Sequence, residues 1–262
     1  MRKVLLLIII PLIYTSCIPK KDLVYFQGDV SENQKLQKLQ DTPYKLQVND
    51  ILDVQLKSAD EKLVALFSNK TTSGNSNVQV SDAQLYFTGY SVDRHGSIRL
   101  PYIGNINVLG YTTEEVREKI EKEFAVYFKD PRDVFIDVKL AGIRFTVIGE
   151  VGSTGNQVLY QNQVNLIEAI ASAGDIAVTG NRKNVTIFRK NIDGTKRFTV
   201  NMLDVETFSS DNFFIQSNDI IYVEPLKQKS WGTGTTGVQT MTTIISVLSL
   251  VTTTILLTQA FK

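Results

Sequence analysis

A chain of 262 residues, 43% of them hydrophobic and 21% charged, is long enough for two modest domains with cores of their own. A formal net charge of +1 leaves no basic surplus for a nucleic-acid partner. A single cysteine excludes an intrachain disulfide, and a single histidine leaves any metal site without a second imidazole. Residues 1–16 read as a targeting segment: Arg2 and Lys3 give a positive start, residues 4–13 an apolar run, and Tyr14-Thr15-Ser16 an approach to Cys17.

A lone Cys directly after a secretory apolar run resembles the lipobox of bacterial lipoproteins, with Tyr14 standing where Leu is usual. The resemblance implies cleavage before Cys17 and lipid on its thiol and new amino group; the alternative is an accidental Cys in a signal peptide or anchor. Residues 17–43 are polar, carry Lys20, Lys21, Glu32, Lys35 and Lys38, and are expected to be a tether from the lipid to the first domain. Lys20-Lys21 can touch anionic headgroups.

Residues 44–56 alternate around Asn49-Asp50, which predicts two short strands flanking a turn. A short helix is expected over 58–67 and a polar loop over 68–77. Residues 92–110 predict short strands separated by glycine turns. Thr112 and Glu115 have capping-box spacing, and Val116, Ile120, Phe124 and Phe128 recur every fourth residue behind them, so an amphipathic helix is expected to end before Asp130-Pro131. Val134, Ile136, Val138 and Leu140 then alternate with Phe135, Asp137 and Lys139 as a half-buried strand.

The blocks YKLQVNDILDVQL, GSIRLPYIGNINVLGYTTEEVREKI and YFKDPRDVFIDVKL resemble, in this order, the polysaccharide export domain of Wza-type outer-membrane proteins. The resemblance covers residues 44–141. Asn49 departs from the usual Gly before Asp50, but Asn also accepts positive φ and keeps the turn possible.

A second unit begins at FTVIGEV. Asn165 can cap a short helix over 166–173 that Gly174 closes, and strands are expected over 184–189, 197–203 and 220–223, with Asp193-Gly194 as a hairpin turn. GEVGSTG, NLIEAIASAG and SNDIIYV resemble the soluble-ligand-binding β-grasp (SLBB) domain of the same export proteins, in one copy over residues 142–226. Residues 227–237 are expected to be a linker.

The stretch 238–262 carries no charge before the terminal Lys262. As a helix, residues 238–261 reach roughly 36 Å, against a bilayer core of about 30 Å. Thr242, Ser246, Ser249 and Thr253 share one face, with Ile244, Val247, Leu248, Val251 and Ile255 mainly opposite. The polar face suits a wetted lumen or close packing against another helix, and Trp231 and Phe261 flank the helix as interfacial aromatics do. A buried helix of a soluble core is the third alternative.

Catalytic chemistry is not expected. GTGTTG at 232–237 matches GxGxxG literally, but no acidic residue follows Glu224, and a flexible linker explains it better. His95 reads as a turn residue, and Glu114 and Glu115 as helix-start acids. The architecture expected is α+β: two small periplasmic domains, polysaccharide export then SLBB β-grasp, followed by a C-terminal transmembrane helix. The resemblance implies an outer-membrane lipoprotein exporting capsular or extracellular polysaccharide. It also implies a homo-oligomeric ring, commonly eightfold, whose terminal helices form an α-helical barrel with Thr242, Ser246, Ser249 and Thr253 as its candidate lumen lining. The partner it implies is an inner-membrane polysaccharide co-polymerase, often with a tyrosine kinase domain. No cofactor is expected beyond the covalent lipid on Cys17. The rival reading is a non-pore glycan-binding or adaptor lipoprotein.

Overall fold

The computed structural model describes residues 18–28, 43–58, 86–126, 134–191, 194–230 and 237–260. The leader with Cys17, most of the helix expected over 58–67, the polar loop over 68–77, Phe128, Asp193, Trp231 and Phe261 lie outside the described residues.

The first domain is built on a three-stranded antiparallel sheet. Its central strand β1 (Ile51–Ser58) lies between β2 (Tyr90–Ser91) and β5 (Val134–Leu140). Alternation in β5 has its expected consequence: Ile136, Val138 and Leu140 are buried opposite Leu56, Val54 and Leu52, whereas Phe135 is exposed. The hairpin β3 (Ser97–Leu100) and β4 (Gly104–Asn107) and helix α1 (Thr113–Phe124) complete the domain. The α1 capping box is present in full: Thr112 Oγ1 accepts from Glu115 N at 3.2 Å and Glu115 Oε2 from Thr112 N at 2.7 Å. Val116, Ile120 and Phe124 are the buried face of α1.

Two expected strands do not form. Residues 43–47 lie outside any ladder, because Leu46 makes two backbone hydrogen bonds with the turn at 110–111 and nothing extends the pairing. Residues 101–103 are a turn, with Tyr102 at φ 64°. The Asn49-Asp50 turn does form: Asn49 takes φ 72° and donates its N–H to Val92 O at 2.9 Å.

Only Ala141 and Gly142 separate β5 from β6 (Ile143–Gly149), which opens the second domain. A five-stranded sheet runs in the order β10 (Gly194–Val200), β9 (Gly180–Asn191), β12 (Ile220–Pro225), β6, β7 (Gly155–Leu159), with β6 and β12 parallel and the other pairs antiparallel. The pair β8 (Val164–Asn165) and β11 (Phe214–Ile215) and helix α2 (Leu166–Ser172) cover its inner face, where Ile143, Phe145, Val147, Ile187, Ile221 and Val223 are buried. The α2 cap is also a full capping box, Asn165 with Glu168. Gly149 has a structural duty: at φ 98°, a Cβ there would lie 2.0 Å from Val223 O and split the parallel pair. β9 and β12 run past their expected ends, and β10 lies three residues earlier than its periodicity predicts. Buried side chains of both domains form one apolar cluster, from Leu46 to Val223.

Candidate functional site

Two segments, residues 18–28 and residues 226–229, converge on the second domain around residues 175–183 and Glu150. The first is a strap, residues 18–28, which replaces the expected free tether over that stretch. It starts with a 3-10 turn (Lys20–Asp22) and then lies along the loop that follows β10: Phe26 N donates to Met202 O at 3.3 Å, Gln27 N to Leu203 O at 2.5 Å and Val205 N to Gln27 O at 3.2 Å. Side chains hold it further. Tyr25 donates its hydroxyl to Asp175, the Arg182 guanidinium lies 5.1 Å from the Tyr25 ring centroid, Phe26 packs on Phe208 at 4.8 Å, and Lys183 Nζ pairs with Asp22 Oδ1 at 2.6 Å. Burial, and then the Asp175 carboxylate, push the Tyr25 phenol up to about 12. The legible signal is the triplet Val24-Tyr25-Phe26 in an otherwise polar stretch.

The second segment leaves from the same place. Leu226 N donates to Thr179 O at 2.7 Å, and Lys229 Nζ reaches Glu150 Oε1 at 2.6 Å, while the Thr179 hydroxyl donates to the other Glu150 oxygen. The Lys229 ammonium and that hydroxyl hold the Glu150 carboxyl below its ordinary range. The first four residues of the expected linker are thus a short helix, α2's successor α3 (Lys227–Ser230), fixed to the domain.

Helix α4 (Gly237–Ala260) follows, 24 residues without a charge. Among the described residues, Thr242–Ala260 is the one helical stretch long and apolar enough to cross a membrane. Its hydroxyls are spent on its own backbone: Ser246 Oγ donates to Thr242 O at 2.8 Å and Thr253 Oγ1 to Ser249 O at 2.7 Å, and Thr252, Thr254 and Thr258 bond carbonyls one turn back in the same way. Those three threonines lie off the face of Thr242, Ser246, Ser249 and Thr253, so polarity is less one-sided than the four-residue stripe implies.

The two domains are locked by polar groups at their junction. Asp50, almost fully buried, accepts from Tyr44 Oη at 2.9 Å and Gln47 N at 2.8 Å, and Gln47 Nε2 donates across to Gln216 Oε1 at 2.7 Å. Burial raises the Asp50 carboxyl above its ordinary range despite hydrogen bonds from Gln47, Ser217 and Tyr44. The loop carrying Gln216 is pinned by a buried ion pair: Arg189 Nη2 lies 2.7 Å from Asp219 Oδ2 and 3.0 Å from Phe214 O.

His95 sits in the turn before β3, where Asp93 Oδ1 accepts from its backbone N–H at 2.8 Å. Glu114 pairs with Arg117, and Glu115 caps α1.

Residues 38–139 match the family described as polysaccharide biosynthesis/export protein, and residues 143–223 match the SLBB domain. The chain joins a polysaccharide export domain to an SLBB domain. It is 30% identical over 188 residues to the EPS I polysaccharide export outer membrane protein EpsA of Ralstonia nicotianae, covering 70% of this chain and 48% of that protein. It is 27% identical over 196 residues to the capsule polysaccharide export protein BexD of Haemophilus influenzae, covering 72% of this chain and 46% of that one. The chain therefore spans about half the length of the curated relatives it matches. The boundary between the two matched domains falls at the Ala141-Gly142 junction between β5 and β6.

Proposed function

We propose that the protein is an outer-membrane lipoprotein and a subunit of a translocon that exports capsular or extracellular polysaccharide. The observation that carries the reading is the order of parts: an export domain, an SLBB domain, then the uncharged helix α4. The β7-β6-β12-β9-β10 order, with β6 and β12 parallel and α2 between the two hairpins, supports a β-grasp fold for the second domain. Cys17 carries the lipid, and Lys20 is within roughly 10 Å of it along an extended chain. The strap therefore brings the acylated end onto the second domain, beside the point from which α4 departs, and that domain is the membrane-proximal one. Protomers assemble into a ring, eightfold as in the resembled family, with α4 helices as its barrel and an inner-membrane polysaccharide co-polymerase as its partner. No step in this function is enzymatic.

Imaging of single particles extracted in detergent tests the assembly: a closed ring with a central cavity is expected, and a compact particle without one overturns it. Intact mass tests the anchor. An acylated chain starting at Cys17 is expected, and a retained Met1 or an unmodified start contradicts it. The second reading, a non-pore glycan-binding or adaptor lipoprotein with α4 as an anchor, is favoured by one observation: internally bonded hydroxyls lower the cost of facing lipid or another helix.

A further inference from the structure

An open cleft of about 400 Å³ lies where the edge of the five-stranded sheet meets the first domain. Its size falls in the range of small-ligand sites, about 300–1,000 Å³. One wall is the outer face of β6 and β7, where Arg144 stands opposite Val158 and Thr146 opposite Asn156. Asn218, held at φ 67° with its N–H on Arg144 O at 2.7 Å, closes one end. Tyr86 comes from the first domain, on a helical turn at 86–88.

The lining is selective. Tyr86 is 58% exposed although it is an aromatic residue at a domain junction, and its neighbour Phe87, edge-on at 5.4 Å, is 79% exposed. Flat apolar rings left open to water beside amide side chains suit the mixed faces of a sugar: its C–H face stacks on the ring while its hydroxyls meet the amides. Thr146 Oγ1 engages Asn156 Oδ1 at 2.8 Å, which leaves the Asn156 Nδ2 donors for a ligand. Among the described residues, Arg144 has no ion-pair partner and no acidic side chain lines the cleft. A single guanidinium prefers a planar carboxylate, which it grips with two parallel hydrogen bonds.

We propose that this cleft binds a short stretch of acidic polysaccharide, with Tyr86 stacked on a sugar ring, Arg144 paired with a uronate carboxylate, and Asn156, Gln157 and Asn218 bonding its hydroxyls. The proposal rests on the export reading and adds to it where the polymer touches each protomer and what charge it carries. Because the groups come from both domains, an occupied cleft also braces their junction.

The test uses the full-length protein in detergent and, as probe, oligosaccharides cut by mild acid from the producing cells' own surface polysaccharide. Calorimetry with wild type should give measurable binding. Tyr86→Ala and Arg144→Gln, both substitutions of solvent-accessible side chains, should each weaken it at least tenfold, whereas Arg99→Gln, on the exposed face of β3, should not. Fragments whose carboxyls have been reduced to alcohols should bind wild type as weakly as untreated fragments bind Arg144→Gln. Absent binding, equal binding to wild type and both variants, or indifference to carboxyl reduction overturns the proposal. A strain lacking the protein separates this from the export reading. Loss of surface polysaccharide together with a failed binding arm overturns the cleft alone, and unchanged surface polysaccharide overturns the export reading itself.

Discussion

At the scale of single residues, the buried charges near the domain junction govern stability. Asp219 is 1% exposed, grips Arg189 through both oxygens and also accepts Gln216 N at 2.9 Å. Asp219→Ala strands the Arg189 guanidinium without its counter-charge and frees the loop that carries Gln216, Ser217 and Asn218. A loss of about 3–5 kcal/mol is expected from breaking one side of such a pair. Denaturant unfolding of the detergent-solubilised chain measures it, and a loss below about 1 kcal/mol contradicts the pinning role. Asp50 acts in the opposite sense to a surface carboxylate. Burial raises its folded value above the unfolded one, near 3.9 for a free Asp, so its contribution is fully present below about pH 4 and is lost as pH rises through the raised value. Asp50→Asn removes that loss. The melting temperature of the variant relative to wild type should therefore climb between about pH 4 and pH 7, and a difference independent of pH counts against the buried, raised carboxyl. The Asn49-Asp50 turn is legible in the sequence, but the burial of Asp50 is not. A left-handed turn is a local property of the residue, whereas burial of Asp50 depends on Tyr44, Gln47 and a second domain 160-odd positions on in the chain, roughly the separation of Gln47 from Gln216.

Among the elements, those with a strong period and a cap were legible: α1, α2, β1, β5 and the β9–β10 hairpin follow from alternation, four-residue recurrence and capping spacing. Elements defined by what they touch were not. Residues 43–47 alternate correctly yet pair only through Leu46, and the strap at 18–28 has a polar composition that hides three anchoring side chains. The strap makes a prediction at its own scale. Tyr25 supplies a ring under Arg182 and a hydroxyl to Asp175, so Tyr25→Ala removes both while leaving the β-sheet intact. Loosening should expose the Lys20-Lys21 bonds, and brief trypsin treatment followed by mass measurement should find cleavage there several-fold faster than in wild type. Equal rates mean that the strap is held without Tyr25, by its backbone bonds to residues 202–205, the Phe26–Phe208 contact and the Lys183–Asp22 pair. Tyr25→Phe, which keeps the ring, should fall between the two.

For the whole molecule, the strap at 18–28 and residues 226–229 meet on the second domain around residues 175–183. What the helix α4 does turns on its polar face. Internal hydrogen bonds satisfy the protons of Ser246 and Thr253, but each hydroxyl oxygen keeps lone pairs that water or a passing glycan can use. A lumen and a tight helix contact therefore differ in wetting, and a thiol reports wetting because only a hydrated thiol forms the reactive thiolate. Single Cys replacements in the otherwise unchanged chain are sufficient, since the Cys17 thiol is acylated in the proposed protein. A membrane-impermeant thiol reagent applied to intact assemblies should label positions 242, 246, 249 and 253 and spare 248 and 255. Leu at both Ser246 and Ser249 should then leave assembly intact and cause polysaccharide to accumulate inside cells. If α4 is only an anchor, labelling is uniformly low and the double change disturbs assembly rather than transport. Equal labelling on both faces contradicts a membrane location altogether, because residues 248 and 255 can be wet only if no lipid covers them.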